Sequence, residues 1–474
     1  MSTDGAIKAD LYIEDNASAQ ASAQGEGASA QDLSEDSLSE QLVSENVNRL
    51  LYVPDWSKWL INNGRVWQID NTLQIMTMTR QICRKAAQEV EAASDNSSMA
   101  KKLTSKQTVA AVEYLARADS RIAVTPDIFD QDVDIINTPD GVWNLKTAKL
   151  RDQKPQDYCM KITSCGASGE CPTWHKFLND VTNGDIAMKR YLQQIAGYIL
   201  TGHVSEHALF FIYGPGRNGK SVFLNILSFI MGDYAKTASM ETLAESRYQR
   251  HETELAMLQS ARLVTAQETE GSRNFNESRI KTMTGGDPIT ARYMRKDYFT
   301  FQPQFKLTIA GNHKPGLKNV DEAIKSRIHL IPFTVTIPPE KRDKNLESKL
   351  KQEQAGILSW AIYGAKDWYE NGLQIPESVK AASEEYMGEE DAVQRWLDER
   401  CDIRSGGFER KSDLYADWKG WCEVNGEYAG TQMQLIRQLK TKHPKLVEDK
   451  CTSTRRTGLQ GIKIHKDLFR QSRK

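Results

Sequence analysis

At 474 residues the chain is longer than one hydrophobic core usually organises, so about two to four domains are expected. The composition, 39% hydrophobic with 62 basic and 63 acidic side chains, is that of an ordinary soluble protein. The most notable apolar run, Ala208 to Tyr213, is far shorter than the ~18 residues a membrane-spanning helix needs, which excludes the membrane as a workplace. The acidic start MSTDGAIKADLYIED is unlike an export leader, and seven scattered cysteines suit a reducing cytoplasm better than a disulfide scaffold.

The small net charge hides two opposed ends. Residues 1–46 carry ten acids against Lys8, a balance of −9, whereas residues 431–474 carry twelve Lys and Arg against three acids, a balance of +9. The basic end suits phosphate, although a solvated, charge-rich helix face has the same composition.

In chain order, residues 1–40 hold hardly a large apolar side chain after Tyr12 and are expected to be a disordered acidic and polar tail. Residues 41–170 predict a mainly helical domain. Apolar side chains recur there at helical spacing, as at Leu42, Val43 and Val47 and again at Val109, Val112 and Leu115, with GRVWQID strand-like and hairpins around PDG and KTAK. Residues 171–345 open with the helices TWHKFLNDV and IAMKRYLQQIAGYIL, then alternate the apolar strands ALFFIYG, RLVTAQE, FKLTIAGN and RIHLIPF with helices. That alternation predicts a parallel α/β core. Residues 346–390 read as a helical connector and 391–474 as a small basic domain whose helices precede a β-hairpin, a winged-helix-like order. The expected fold class is therefore multidomain α/β.

The sharpest signal is GPGRNGKS, which fits the P-loop pattern over Gly214, Pro215, Gly216, Arg217, Asn218, Gly219, Lys220 and Ser221. An apolar strand leads into it and a helix leaves it, so backbone NH groups and a helix amino terminus converge where a polyphosphate fits. Lys220 is expected to neutralise the β and γ phosphates of ATP and Ser221 to ligate the bridging magnesium ion. Such a lysine is expected to face solvent and to add little to the core. RLVTAQETE supplies Glu268 and Glu270, two positions apart on an extended chain and so on one face. Glu268 is assigned to metal support and Glu270 to activation of the attacking water, with the reverse open; an exposed acidic turn is the plain alternative. Asn312 ends FKLTIAGN, where an amide can hydrogen-bond the γ phosphate or the water, although asparagine at a strand end also forms turns.

With GPGRNGKS, ETE, KTMTGGDPITAR, FKLTIAGNHKP and DEAIKSRIHLIPF in that order, the chain resembles the helicase part of phage and plasmid primase-helicases. These are superfamily-three motors of the AAA+ class, related to the poxvirus primase-helicase. The resemblance is sharp over about residues 205–335 and looser on either side. It implies an ATP-driven DNA helicase that forms a ring, usually a hexamer, with ATP between subunits and a single strand in the channel, moving typically 3′ to 5′. It further implies a channel-lining β-hairpin, for which ITARYMRKDYFTFQP is suited, with Met294 to Asp297 at the tip, Arg295 and Lys296 on DNA phosphates and Arg292 at the hairpin base. A basic surface turn would read the same. The family's arginine finger falls on Arg327; the position before it, where the family usually has a second arginine, is Ser326.

Family members often carry a primase domain ahead of the helicase, and the segment before residue 41 leaves no room for one, which points to a separate primase or replication protein as a partner. Asp132 and Asp134 spell a carboxylate pair of the kind polymerases use, but hairpin text surrounds them. HVSEH, with His203, Glu206 and His207, matches an inverted zinc-protease pattern in a place without walls for a cleft. Cys159, Cys165, Cys171 and His175 lack the short spacing of structural zinc sites. In the last domain Arg437, Lys440 and Lys442 share helical spacing, and Arg455 and Arg456 lie between two short strands, an arrangement suited to duplex DNA. The expected function is a DNA-stimulated ATPase that unwinds duplexes in phage, satellite or plasmid replication inside a bacterial cell. The rivals are an origin-melting initiator without processive unwinding and a nucleic-acid-sensing ATPase in phage defence.

Overall fold

The computed structural model describes residues 33–93, 96–244, 253–267, 274–317, 320–450 and 457–465. Most of the expected tail lies outside them, as do Glu268, Glu270, Arg455 and Arg456. None of the described helices is long and apolar enough to cross a membrane.

Two compact units divide the chain, and they cut across the expected domain of residues 41–170. One holds residues up to Val47 together with Asp70–Ala123; the other holds Asn48–Ile69 and everything from Val124. The first unit is helical. It comprises Glu35–Ser44, Gln74–Ala93, Ser97–Leu103 and Lys106–Ala116, with Ser34, Asn96 and Ser105 each accepting a backbone NH at a helix start. The first of these helices begins within the stretch read as disordered, because Leu38, Leu42 and Val43 together provide a buried face.

The second unit begins with two small antiparallel sheets. Leu50–Val53, Lys58–Asn62 and Trp67–Ile69 form one, and Ile135–Thr138, Gly141–Asn144 and Lys149–Arg151 form the other. The central sheet has five strands in the spatial order Ile328–Pro332, Leu209–Tyr213, Lys306–Gly311, Leu263–Gln267, Ala235–Thr237, and every pairing is parallel. Leu209–Ile212 and the whole of Lys306–Gly311 are buried, as expected of strands covered on both faces.

The stretch read as a connector shares the core's packing. The helix Gln354–Asn371 lies against Ile186–Leu200 so closely that a Cβ on Gly197 would come 1.9 Å from the Ala365 nitrogen, and one on Gly364 would come 2.1 Å from the Gln193 oxygen. The helix Glu377–Glu390 covers the sheet edge, where Ser383 Oγ accepts from the Leu330 NH at 3.0 Å.

At the amino ends of two central strands sit two buried basic side chains. Arg262 donates to the carbonyls of Ile135 and Leu200 (2.6 Å) and of Asp132 (2.9 Å), and Lys306 to those of Thr201 and Gln304 (3.1 Å). Burial, reinforced by the Arg262 charge, pushes the Lys306 amine well below its usual range. The bonds of Arg262 tie the sheet that begins at Ile135 to the central sheet.

The last domain runs helix Ala392–Arg400, strand Cys401–Arg410, helices Lys411–Asn425 and Gln432–Lys442, then strands Val447–Lys450 and Thr457–Ile464. The last strand lies in the middle of an antiparallel sheet of three. Trp396, Trp418 and Trp421 fill its core, and the last two stack at 5.5 Å.

Candidate functional site

Residues 214–221 join the buried strand Leu209–Tyr213 to the helix Lys220–Met231 at the carboxyl edge of the sheet, where open α/β sheets bind ligands. The turn needs left-handed backbone at Arg217 (φ 68°) and Gly219 (φ 88°). Gly219 also admits no side chain, since a Cβ would meet Val181 at 2.7 Å and Phe177 at 2.8 Å. Gly216 faces open space. Among the described residues no side chain caps the helix start, which leaves its first NH groups without intrahelical partners, and Ser221 is exposed beside them. This donor set fits a polyphosphate with a magnesium ion, which Ser221 would help hold.

Lys220 departs from expectation, because it is only 5% exposed. Its Nζ donates to the Gly214 carbonyl at 2.7 Å, Asn218 Oδ1 at 3.0 Å and Asn312 Oδ1 at 3.1 Å. A buried ammonium needs such acceptors, so the lysine is part of the fold of its own loop. Asn218 is buried too. Its amide donates to the Phe333 carbonyl, which ties the loop to the end of the strand Ile328–Pro332, while its oxygen faces Lys220. The Ile337 NH adds a second tie, to the Arg217 carbonyl at 3.2 Å. These links join residues over a hundred positions apart, and no local pattern announces them.

Asn312 follows the strand Lys306–Gly311, which pairs directly with the P-loop strand, and this neighbourhood brings its amide to Lys220. Glu268 and Glu270 lie outside the described residues, but the strand that leads to them, Leu263–Gln267, is the next neighbour. Arg327 lies elsewhere. It precedes the strand Ile328–Pro332, whose parallel register sets Ile328 opposite Leu209 and Pro332 opposite Tyr213. Arg327 is therefore at the amino edge of the sheet, a full strand away from its own chain's P-loop. Its Nη1 donates to the Ala323 carbonyl at 2.6 Å.

The hairpin forms with Ile289–Arg292 antiparallel to Tyr298–Phe301. Residues 293–297 make the turn, with Arg295 in the left-handed region (φ 60°) and Met294 strongly exposed. Arg292 is not at the hairpin base. It pairs with Tyr298 on the rung next to the turn, because Ile289 and Phe301 make the rung at the base, and its guanidinium lies 4.8 Å from the Tyr298 ring centre.

On the last domain Arg437 and Lys440 line a surface groove with Lys411, Met433, Ile436 and Glu448. Lys440 and Lys411 both reach Glu448, at 3.4 Å and 2.5 Å. Lys442 instead pairs with the buried Asp391, so its charge is used within the domain. The HVSEH side chains diverge to separate partners: His203 to Asp134, Glu206 to the Trp368 indole, His207 to the Thr284 carbonyl. Asp134 also takes Lys146 and Tyr369; burial alone would raise its carboxyl, but these three donors hold it at about 2. That network accounts for the second aspartate of the DVD pair.

Two family comparisons cover much of the chain: residues 39–183 match the D5 N terminal like family, and residues 212–327 match a family of unknown function, DUF5906. A protein of Acanthamoeba polyphaga mimivirus named as a putative helicase is 27% identical over 324 residues, 62% of this chain and 34% of that protein. Another so named, from Frog virus 3 (isolate Goorha), is 24% identical over 264 residues, 52% of this chain and 27% of that protein. The chain thus spans about a third or less of the length of these relatives. The apo structure of the NrS-1 C-terminal region aligns over 90% of this chain and 98% of that one, at 11% identity and a TM-score of 0.48. In sequence, the chain is similar to viral proteins named as helicases, and its residues 39–183 resemble the D5 N terminal like family.

Proposed function

We propose that this protein is an ATP-driven DNA helicase. The observation that carries the reading is the meeting of Lys220, Asn218 and Asn312 at the carboxyl edge of a parallel sheet, in a loop that leaves a helix start open to phosphate. ATP binds with its phosphates on residues 214–221, and Asn312 detects the terminal phosphate through the same amide that now meets Lys220. Ser221, supported by Glu268, would hold a magnesium ion, which would supply charge neutralisation at the phosphates, and Glu270, or in the reverse assignment Glu268, would orient the attacking water. The motor works as a ring, taken as a hexamer moving 3′ to 5′ as in the superfamily-three motors it resembles, with Arg327 serving a neighbour's site.

The hairpin is the part that grips the single strand. Arg292, Arg295 and Lys296 present three cations on the turn and its last rung, and phosphate contacts suit a motor because they carry no base identity. The winged-helix-like last domain meets duplex through Arg437 and Lys440, with Arg455 and Arg456 contributing from outside the described residues; Lys442, already paired, contributes least.

The test is strand displacement on forked DNA by the full chain, with ATP as the only energy source. Unwinding that needs ATP is expected; DNA-dependent ATPase without displacement would favour an initiator that melts DNA locally. In the same assay Arg295→Ala with Lys296→Ala should lose displacement, and the log-log salt dependence of single-strand binding should flatten by about 0.7 per lost contact. Unchanged affinity and displacement would remove the hairpin from the DNA path.

A further inference from the structure

The sensor loop, residues 312–317, follows the strand Lys306–Gly311 and begins with Asn312, the residue proposed to detect the terminal phosphate; it is held in three directions. Inward, Asn312 meets Lys220 at 3.1 Å, and Lys314 Nζ lies 5.6 Å from the ring centre of Tyr213, the last residue before the P-loop. Sideways, the Gly316 carbonyl accepts from the Phe275 NH at 3.0 Å, and a Cβ on Gly316 would come 2.2 Å from Asn274 Oδ1. Outward, the loop is fastened to the last turn of the helix Glu377–Glu390. Tyr386 donates to the Pro315 carbonyl, Lys314 pairs with Glu389 at 3.0 Å, and the Leu317 NH donates to Glu390 Oε2 at 2.7 Å.

That helix ends where the basic domain begins. Asp391 accepts from the Gln394 NH at 3.0 Å, capping the helix Ala392–Arg400, and its other oxygen takes Lys442 at the end of the basic helix Gln432–Lys442. Two successive carboxylates thus serve two elements: Glu390 the sensor loop, Asp391 the basic helix. No slack chain separates them, and the Asp391 carboxylate is buried, where an ion pair is stiff and costly to break.

We propose that Glu390 is a positioning residue for Asn312, and that Glu390 and Asp391 together carry the DNA-bound state of the basic domain to the nucleotide site, so that bound duplex sets the rate of ATP turnover. This inference rests on the ATP-driven reading. The path is continuous: a shift of the basic helix moves Lys442 and Asp391, the end of the helix Glu377–Glu390 follows, and the loop bearing Asn312 follows its three fastenings. Turnover should respond more than nucleotide capture, because the P-loop holds the phosphates without Glu390.

The test measures ATP turnover of the full chain with and without a saturating blunt duplex, and duplex affinity by fluorescence anisotropy, in the parent, Glu390→Ala, Glu390→Gln and Glu389→Gln. Duplex should change the parent's kcat about fivefold or more, the size of an ordinary coupling. In Glu390→Ala that effect should collapse towards unity while duplex affinity and the KM for ATP stay near those of the parent. Glu390→Gln, whose amide oxygen still accepts from Leu317, should recover most of it. Glu389→Gln, altered at an exposed position, should lose part of the effect and covers the case in which Glu390→Ala fails to fold. An unchanged duplex effect in whichever of Glu390→Ala and Glu389→Gln folds overturns the relay alone, as does a parent that binds duplex and hydrolyses ATP at a rate duplex does not alter. A parent with no ATP turnover overturns the ATP-driven reading and the relay with it.

Discussion

Lys220→Ala should lower ATP turnover by roughly a hundred- to a thousandfold, the usual effect of deleting one preorganised charge donor from a transition state. The same substitution should also weaken the fold. Lys220 is buried and donates to Gly214, Asn218 and Asn312, so its removal strips a donor from three oxygens, those of Gly214 and Asn218 in buried bonds, at a cost of about 1–3 kcal/mol. Loss of activity in this variant alone therefore does not separate chemistry from structure. Lys220→Gln makes the separation, since its amide can donate to some of the same acceptors while carrying no charge. Chemical denaturation should place Lys220→Gln nearer the parent than Lys220→Ala, and both should be inactive. Normal turnover in either would remove Lys220 from the reaction; inactivity that scales with lost stability across the two would make the lysine structural.

Arg327→Ala should be as inactive as Lys220→Ala when each is assayed alone, because a guanidinium delivered to the transferring phosphate can contribute on the order of a thousandfold or more. The sheet excludes service within one chain. With Ile328 opposite Leu209 and Pro332 opposite Tyr213, Arg327 and Gly214 lie at opposite ends of paired strands, about 20 Å apart along the strand at ~3.3 Å per residue. Its Nε is buried without a hydrogen bond among the described residues, and Nη1 holds the Ala323 carbonyl. Mixing the two variants tests action between subunits, since a Lys220→Ala subunit keeps a sound Arg327 for an Arg327→Ala neighbour. ATPase that returns on mixing, and in neither variant alone, supports a shared site. If subunits exchange and no activity returns at any ratio, Arg327 does not serve a neighbour.

Residues adjacent in the chain made several features readable in advance. GPGRNGKS between an apolar strand and a helix is one, and ITAR and YFTF flanking a polar turn is another; the observed strand Leu209–Tyr213 and the Ile289–Phe301 hairpin follow those patterns closely. Arg292 departs from its expected place at the hairpin base for the opposite reason. The turn takes residues 293–297, and which rung of a hairpin lies next to the turn depends on the register, which the alternation of side chains leaves open.

By itself, then, the sequence determined what short-range physics controls: strand, loop and helix at the P-loop, and turn residues in the hairpin. Tertiary structure alone decided the rest. The strand Lys306–Gly311 pairs with Leu209–Tyr213 on one side and Leu263–Gln267 on the other, which sets Asn312 against Lys220; the neighbouring register carries Arg327 to the far edge. Asn218 reaches Phe333, Lys442 leaves the solvent for Asp391, and Glu390 takes the Leu317 NH of the loop after Asn312. Each of these joins residues dozens to over a hundred positions apart, and such pairs are selected by parallel register, close packing and the cost of leaving a buried polar group alone, none of which any single stretch of sequence contains.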